Sequence, residues 1–361
     1  MSHYEERLEE DLRRIRERIG AMASRVAGAV RDAVHALQTG NHKLAAATIL
    51  ADHPINRTMR EIDRLCHGFI AVHLPSAGHL RLLSSAIRAN ISLERIGDYA
   101  VTIARVSEQL SAPPQGALAR ELDRIANVAQ LMLKQAINAF DTLNPEMARA
   151  TMIIEQEMES DLETVYSELT DNPDRESVKE LLAVYAVLTH LKRVADQAKN
   201  LCEETIFAVT GETKAPKVYN ILFIDEDNGG LSQMAEAIAR KTFPGSGSYS
   251  SGGRNPASAL NGPMVRFLEE RGFDLSATRP KPLDLTHQEL VDKHVIVSLQ
   301  GPVKNYVAQI PFHTTALEWE VGSPPDGEDS AQITQRLEAS YREIAVQIRD
   351  LMETLRGENA P

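Results

Sequence analysis

The stretch HLRLLSSAIRANISLERIGDYA, residues 79–100, matches a second stretch of the same chain, SVKELLAVYAVLTHLKRVADQA at residues 177–198. In both stretches apolar residues recur at intervals of three and four, which is the spacing of one face of an α-helix. Further upstream, DAVHALQTGNHKLA (32–45) matches QAINAFDTLNPEMA (135–148) in the same order. The chain therefore contains an internal repeat, and the repeated unit is helical.

Residues 1 to about 210 contain almost no strand-like runs, and turn-forming residues divide them into about six helices. Short turns between long helices are typical of antiparallel bundles. The sequence predicts an all-α domain over residues 1–210, made of two three-helix copies at about 1–110 and 117–210. The proline-containing segment SAPPQG (111–116) joins the two copies.

The pattern changes at TGETKAPK (210–217), where strand-like runs begin to alternate with helices. The expected elements, in chain order, are KVYNILFI (217–224), a helix over 232–243, YSSGG (249–253), a helix over 259–272, HVIVSL (294–299) and a long amphipathic helix over 331–355. This alternation predicts an α/β domain with a parallel sheet over residues 217–361. We expect the glycine-rich GSGSYSSGG (245–253) to be a flexible connection, because it is poorly placed for a dinucleotide-binding loop.

The composition limits the classes of partner. The 361 residues carry a net charge of −12, which argues against nucleic acid, because phosphate backbones require basic patches. No apolar run is long enough to span a bilayer, and the charged start MSHYEERLEEDLRRIRERI lacks the pattern of a signal peptide. Cys66 and Cys202 have no metal-ligand spacing. We expect a cytoplasmic protein whose association with membranes is peripheral.

The last helix of the first copy carries Glu94 and Asp98, which are four residues apart and therefore lie on one face. Lys192 and Asp196 stand at the matching points of the second copy. Most acidic pairs at this spacing belong to a solvated helix face. Two features favour a functional site: the aspartate recurs in both copies, and Gly97, which costs about 1 kcal/mol inside a helix, indicates close approach of another helix or a ligand.

These features resemble the PhoU family of bacterial regulators of phosphate uptake and phosphate signalling. The resemblance covers roughly residues 1–210 and is most specific at ERIGDYA (94–100). It implies two pseudo-symmetric helical bundles, a cytoplasmic location, and action on a phosphate transporter and its partner sensor kinase. Bundles of this kind often expose apolar faces, so we also expect a homodimer.

Some PhoU proteins bind metal clusters through Glu-x-x-x-Asp carboxylates. Carried over by position, this makes Glu94, Asp98 and Asp196 candidate ligands of a divalent or iron-type metal ion. The second copy departs from the family pattern because Lys192 replaces the acidic residue. A lysine ammonium repels a cation and can pair with Asp196 instead. The expectation of a metal site is therefore stronger for the first copy.

In the second half, ILFIDEDNGGLSQMAEAIARK (221–241) has the layout of a phosphate-binding loop: an apolar strand, a glycine turn and the start of a helix. It resembles the loop of low-molecular-weight protein tyrosine phosphatases and the related arsenate reductases, which has the pattern Cys-x5-Arg-Ser. Asp225 stands at the cysteine and Leu231 at the arginine, while Ser232 keeps its place. The motif is therefore recognisable, but it lacks the cysteine thiol and the arginine guanidinium group.

The same resemblance extends through residues 248–283 and to a late loop at 317–327, where Ser323 replaces a general-acid aspartate. The parent reaction needs a thiolate nucleophile, an arginine that neutralises the phosphate oxygens, and an acid for the leaving group. All three are missing, and the acidic loop repels a phosphate dianion. We predict no phosphatase or arsenate reductase activity and a degenerate loop made of Asp225, Asp227, Asn228, Leu231 and Ser232.

Three other interpretations of this loop remain open. Asp225 and Asp227 have the spacing of the Asp-x-Asp loop of haloacid dehalogenase phosphatases, in which an aspartate attacks phosphate beside Mg²⁺. Asn228 and Gly229 replace the usual Gly-Thr of that loop, which argues against it. The loop could also bind a divalent cation without catalysis, or be a solvated acidic turn capped by Ser232.

The sequence as a whole favours a non-enzymatic regulator of phosphate uptake and phosphate-responsive signalling. It would act by protein–protein contacts with a phosphate transporter, a sensor kinase or both. The alternatives are a metal-dependent phosphohydrolase that uses Asp225 and Asp227, and a scaffold protein without a ligand.

Overall fold

The chain divides into two compact units, Met1–Lys214 and Ala215–Pro361. The division lies close to the change of pattern at residues 210–217. The structure is a computed structural model, and it describes residues 3–154, 178–214, 216–283, 286–311, 313–321 and 330–357.

The described part of the first unit is α-helical. Its helices are α1 (His3–Thr39), α2 (His42–Leu50), α3 (Asp52–Val72), α4 (Ala77–Gln109), α5 (Gly116–Asp141), α6 (described over 145–154) and α7 (Val178–Thr210). The first copy has four helices instead of the expected three, because its middle helix is divided at Ala51. Pro54, in the first turn of α3, has no N–H to bond back to Leu50, and this explains the break.

The turns after α1 and α5 are built alike and show the repeat in detail. Gly40 and Leu143 both have positive φ angles, of 66° and 49°. The following residues, Asn41 and Asn144, each cap the next helix, with a side-chain oxygen that accepts a backbone N–H at 3.0 Å. A left-handed residue at this point normally favours glycine. The second copy therefore keeps the geometry of the turn although a leucine occupies the glycine position.

One continuous apolar core runs through the first unit and takes side chains from all its long helices. α1 and α5 contact each other, with a hydrogen bond of 2.6 Å from Gln38 to Asp123. α4 packs along α7, where Arg88 pairs with Glu204 at 2.5 Å. Among the described residues of the chain, no helix is long and apolar enough to cross a bilayer.

The second unit is an α/β domain with a parallel sheet, as the sequence predicts. Its four described strands are β1 (Tyr219–Asp225), β2 (Gly247–Gly253), β3 (Val295–Ser298) and β4 (Thr315–Glu318), in the order β2-β1-β3-β4. The helices are α8 (Leu231–Thr242), α9 (Gly262–Glu269), α10 (His287–Val291) and α11 (Ser330–Arg356), with a 3-10 turn at Val303–Asn305. β4 was not expected, because its residues are mostly exposed and form no apolar run.

Helices cover both faces of this sheet. Ile221 and Phe223 of β1 belong to a core shared with α8, α9 and α11, whereas Leu222 and Ile224 pack with α10 and the 3-10 turn. In sheets of this strand order, ligands bind beyond the carboxyl ends of the strands, at the point where the order reverses. Asp225, the last residue of β1, lies at this point.

The strand expected at YSSGG (249–253) is confirmed as part of β2 (Gly247–Gly253), so the expectation of a flexible connection over residues 245–253 is wrong from Gly247 onward. Its small residues are required by close packing. A Cβ atom at Gly253 would lie 2.5 Å from the backbone nitrogen of Asn228, and one at Gly252 would lie 3.2 Å from Leu283. The glycines and serines that resemble a linker belong to β2, because the loop after β1 packs directly against this strand.

The variant Gly253→Ala tests this packing. The added methyl group meets backbone atoms that cannot move aside, so we expect the second unit to lose about 1–3 kcal/mol of unfolding free energy. The matched variant is Gly245→Ala, where the added Cβ meets nothing within 4 Å, and its effect should stay within about 0.5 kcal/mol. Urea unfolding followed by the fluorescence of Trp319, the single tryptophan, reports on this unit. Equal stabilities of the two variants would contradict the close contact.

Candidate functional site

The acidic pair of the first copy, Glu94 and Asp98, lies on α4 where the start of α3 packs against it. A Cβ atom at Gly97 would be 3.3 Å from Ile55 and 3.8 Å from the Oδ1 atom of Asp52. The glycine therefore marks the close approach of a second helix. This approach brings a third carboxylate, that of Asp52, toward the pair.

The electrostatics of these three carboxylates are unfavourable in the absence of a counter-ion. Burial raises the pKa of Glu94, and the charges of Asp98 and Asp52 raise it further, against a smaller opposing effect of Arg95. Burial and then the charge of Asp52 likewise raise the pKa of Asp98. Glu94 and Asp98 therefore favour binding of a proton or of a cation.

Asp52 itself is only half satisfied. Its Oδ2 atom accepts a hydrogen bond of 2.6 Å from Asn56. Its Oδ1 atom is buried, and no described residue donates a hydrogen bond to it. A buried acceptor without a donor costs about 1–3 kcal/mol, so it points to an unseen partner. The sequence interpretation missed Asp52 because it lies on a different helix and in no recognisable motif with the pair.

The donor chemistry at this site fits a hard or borderline cation, since three carboxylates supply only oxygen ligands. In the structure, the oxygen atoms of the three carboxylates are not close enough together to coordinate one ion. Within the described ranges, no group of three or more His, Cys, Asp or Glu side chains is arranged to hold a metal ion. The side chain of Asp98 is exposed, so it is the one free to reorient toward the other two.

The second copy differs at the corresponding face. Lys192 Nζ lies 3.9 Å from Asp196 Oδ1, so a cationic side chain of the same helix faces the aspartate. The part of the second copy that corresponds to the start of α3 falls in residues 155–177, outside the described residues. The structure thus places Asp196 beside an ammonium group, whereas Glu94 and Asp98 lie beside another carboxylate.

In the second unit, the carboxylate of Asp225 occupies the amides of its own loop. Its Oδ1 atom accepts the backbone N–H of Asn228 at 2.7 Å, and its Oδ2 atom accepts that of Ser232 at 2.8 Å. Ser232 is in the first turn of α8, where free amides and the helix dipole attract an anion. The side chain of Asp225 is 1% exposed. The anion that this loop holds is therefore a carboxylate of the protein itself.

Asn228 fixes the rest of the loop. It is fully buried and has a positive φ of 48°. Its Nδ2 atom donates to Ser232 Oγ at 2.8 Å, while its Oδ1 atom accepts from Gln233 Nε2 at 2.7 Å and from the backbone of Lys281 at 2.8 Å. Both the nitrogen and the oxygen of the side-chain amide are therefore hydrogen-bonded, and this fixes the conformation of the loop.

The interpretation of this loop as a solvated turn capped by Ser232 is wrong. Asp225 is buried, and the residue before α8 is Gly230, with no side-chain cap. The hydroxyl of Ser232 instead receives the hydrogen bond from Asn228. Asp227, the second aspartate, accepts the backbone N–H of Gly229 at 2.8 Å. Both aspartates thus bond to amides of the loop.

Burial dominates the charge state of Asp225. It raises the pKa of this carboxyl group, while the hydrogen bonds from Ser232 and Asn228 oppose the rise, and Asp227 adds a smaller repulsion. Leu231 is 2% exposed and belongs to the apolar core. It stands where the low-molecular-weight phosphatases have their arginine. The Ser323 position of the late loop lies outside the described residues.

A charged pair lies beside this loop, where the backbone N–H of Arg254 bonds to the carbonyl oxygen of Asp225. Arg254 Nη2 donates to Glu226 Oε2 at 2.8 Å, and Arg254 Nη1 donates to the carbonyl oxygen of Asn305 at 3.3 Å. Hydrogen bonds from Asn255 and Arg254 lower the pKa of Glu226. The guanidinium group of Arg254 is therefore already engaged by protein oxygens and is poorly placed to neutralise a bound phosphate.

Known proteins match the first unit. The PhoU domain matches residues 19–107 and 122–205. A phosphate-specific transport system accessory protein PhoU homolog of Pseudomonas putida is 31% identical over 214 residues, which is 58% of this chain and 83% of the relative. The chain belongs to the PhoU family. The crystal structure of PhoU from Pseudomonas aeruginosa has 31% identity and a TM-score of 0.54, and the match covers 56% of this chain and 99% of that structure.

The two ranges matched by the PhoU domain correspond to the two helical copies, so the resemblance stated for the first half is confirmed. For the second unit, an arsenate reductase structure in the phosphate-binding state covers 38% of this chain and 99% of its own, at 19% identity and a TM-score of 0.32. So weak a likeness says nothing about chemistry. The α/β fold of this unit is shown by its own strand order.

The raised pKa values of Glu94 and Asp98 predict a pH-dependent stability of the metal-free protein. Because these carboxyl groups bind protons more tightly when folded, the stability they contribute is present at acidic pH and is lost as the pH rises through their raised pKa. Asp98→Asn should therefore raise the melting temperature at neutral pH in the presence of a chelator, with no gain below the ordinary pKa of aspartate.

The matched variant Asp196→Asn removes the partner of Lys192 and should give no such gain at neutral pH. Thermal unfolding followed by far-ultraviolet circular dichroism compares the variants. A melting temperature of Asp98→Asn at or below that of the wild type at neutral pH would contradict the repulsion among the three carboxylates.

Proposed function

We propose that this PhoU-family protein is a cytoplasmic, non-enzymatic regulator of phosphate uptake and phosphate-responsive signalling. It acts by contacts with a phosphate transporter and with the sensor kinase that serves it. The observation that carries the proposal is the match of both helical copies to relatives named phosphate-specific transport system accessory proteins, with most of the relative covered. A homodimer with peripheral contacts to the membrane is part of the same proposal.

The regulatory centre of the proposal is a cation at the acidic face of the first copy. Asp52, Glu94 and Asp98 would hold a divalent or iron-type ion through oxygen atoms. Burial and then repulsion between carboxylates raise the pKa of Glu94 and Asp98, and such an ion would offset both effects. It would also give the buried Oδ1 atom of Asp52 a partner. Asp196 is left out of this site because Lys192 faces it.

The cation would couple two helices, because Asp52 begins α3 while Glu94 and Asp98 lie on α4. Binding would pull the exposed Asp98 side chain inward and fix the start of α3 against the glycine at position 97. Occupancy of the site would thus change the surface that the first copy offers to its partners. This is how a metal could act in regulation without any chemical step.

The second unit is proposed to be a binding domain without phosphatase or arsenate reductase activity. The support is the position of the Asp225 carboxylate on the two amides of Asn228 and Ser232. A phosphate group would have to compete with a covalently attached anion for those amides, and it would be repelled by that anion. Arg254 does not offset the repulsion, because it pairs with Glu226.

The competing functions make different demands on the same residues. A metal-dependent phosphohydrolase would need an oxygen atom of Asp225 to be free for attack on phosphorus, with Mg²⁺ beside it. In the structure each oxygen atom of Asp225 accepts a backbone N–H. A scaffold without a ligand would need neither the acidic face nor this loop.

Phosphate uptake in cells tests the proposal. In cells that lack the protein, we expect uptake of radiolabelled phosphate to stop responding to the external phosphate concentration, and the wild-type chain to restore the response. Glu94→Ala/Asp98→Ala should fail to restore it, whereas the matched Lys192→Ala/Asp196→Ala should retain it, because the second copy is not the proposed cation site. Immunoblotting confirms that each variant is present in equal amount.

Restoration of the response by Glu94→Ala/Asp98→Ala would contradict the role of the acidic face and favour a scaffold. Turnover of an aryl phosphate with Mg²⁺ or Mn²⁺ that is abolished by Asp225→Asn would contradict the absence of catalysis. That result would favour the phosphohydrolase.

A further inference from the structure

A cavity of about 770 Å³ opens within the first unit, among α1, α4, α5 and α7. Its apolar wall, here called the inner wall, is lined by Leu12, Leu82, Ile137, Phe140 and Leu143, of which Leu82, Ile137 and Leu143 are half-buried. This volume lies within the range of sites that hold small molecules, about 300–1,000 Å³. The cavity is separate from the acidic pair, since neither Glu94 nor Asp98 lines it.

The cavity is a groove that is open to solvent, and its exposed surface is mainly apolar. Water gains few hydrogen bonds from such walls, so an apolar cavity tends to take up an apolar guest. The inner wall therefore calls for a ligand with a substantial hydrocarbon part.

The opening of the cavity carries charge. Arg16 of α1 and Lys134 of α5 both line it and are both exposed to solvent. Asp141 also lines it, so the rim has two positive groups and one negative group. Leu131, which is 47% exposed, extends the apolar wall to the surface. An apolar interior below a net positive rim matches a molecule with one hydrocarbon chain and one anionic end.

We propose that this cavity binds a single fatty acid. The hydrocarbon chain lies against the inner wall, and the carboxylate lies at the rim near Arg16 and Lys134. The inner wall carries no charged side chain among the described residues, so the carboxylate has only the rim to occupy. This ligand goes beyond the phosphate-related function and makes the helical unit responsive to the acyl chains available to the cell.

Calorimetric titration of the full-length protein with dodecanoate, below its micelle concentration, tests the proposal. We expect saturable binding of one molecule per chain. Arg16→Gln/Lys134→Gln should weaken it about fivefold to tenfold, as expected for the loss of two solvent-exposed ion pairs. The control variant Arg14→Gln removes one positive charge from α1 outside the cavity lining, as Arg16→Gln does within it, and should leave the affinity unchanged.

Two further variants probe the interior. Ala86→Phe fills the cavity and should abolish binding, provided that circular dichroism shows a folded protein. Leu131→Glu, at an exposed position, avoids the risk of unfolding and should weaken binding by adding a negative charge at the rim.

Three results would overturn the proposal. The first is equal affinity for dodecanol, which has no carboxylate. The second is unchanged binding of dodecanoate to both Arg16→Gln/Lys134→Gln and Leu131→Glu. The third is the absence of dodecanoate binding; binding of lysophosphatidylglycerol in that case would assign the cavity to a phospholipid.

Discussion

The lack of a side chain at Gly97 sets how closely α3 and α4 approach, and the rest of the proposed site depends on this approach. Ile55 of α3 packs so closely against Gly97 that an added Cβ atom would lie 3.3 Å from it. The same contact places Asp52 near Glu94 and Asp98, and it partly removes these groups from water. Burial raises the pKa of Glu94 and Asp98, and repulsion from the neighbouring carboxylates raises it further. A positive charge at this face of the first copy would therefore be stabilised by the neighbouring carboxylates.

In the second unit, a site that attracts an anion is occupied by a carboxylate of the protein itself. A helix N-terminus preceded by a tight loop attracts an anion. Here the anion is the carboxylate of Asp225, which is attached to the end of β1 and accepts amides of the loop and of α8. The β2 strand contributes by having no side chain at Gly253, where the loop lies against it. In the first unit, Glu94 and Asp98 lie near a third carboxylate. In the second unit, the carboxylate of Asp225 accepts two backbone hydrogen bonds.

Much of the fold follows from sequence patterns that are local. Asn41 and Asn144 match in the repeat, and both prove to be helix caps after a left-handed residue. The first strand of the α/β unit, its glycine turn and the helix that follows are equally visible, because each has a clear apolar pattern. β4 escaped prediction because its residues are mostly exposed. β2 was taken in part for a linker, because the neighbours that require its glycines are distant in sequence.

The sites were less predictable than the fold for the same reason. Spacing alone places Glu94 and Asp98 on one face, but the third carboxylate belongs to another helix, and only packing brings Asp52 there. Alignment of the loop indicates that Asp225 replaces a nucleophile. It does not indicate that the carboxylate turns inward to the amides of Asn228 and Ser232, because that depends on the path of the backbone.

The central claim is that the acidic face of the first copy holds a cation. Elemental analysis by plasma mass spectrometry, on purified wild type, Glu94→Ala/Asp98→Ala and Asp225→Asn, tests it most directly. The account predicts stoichiometric iron, zinc or manganese in the wild type and in Asp225→Asn, and its loss from the double variant. Metal that persists in the double variant, or is lost from Asp225→Asn alone, would contradict the account and move the cation to the loop after β1. A wild type without metal would also contradict it.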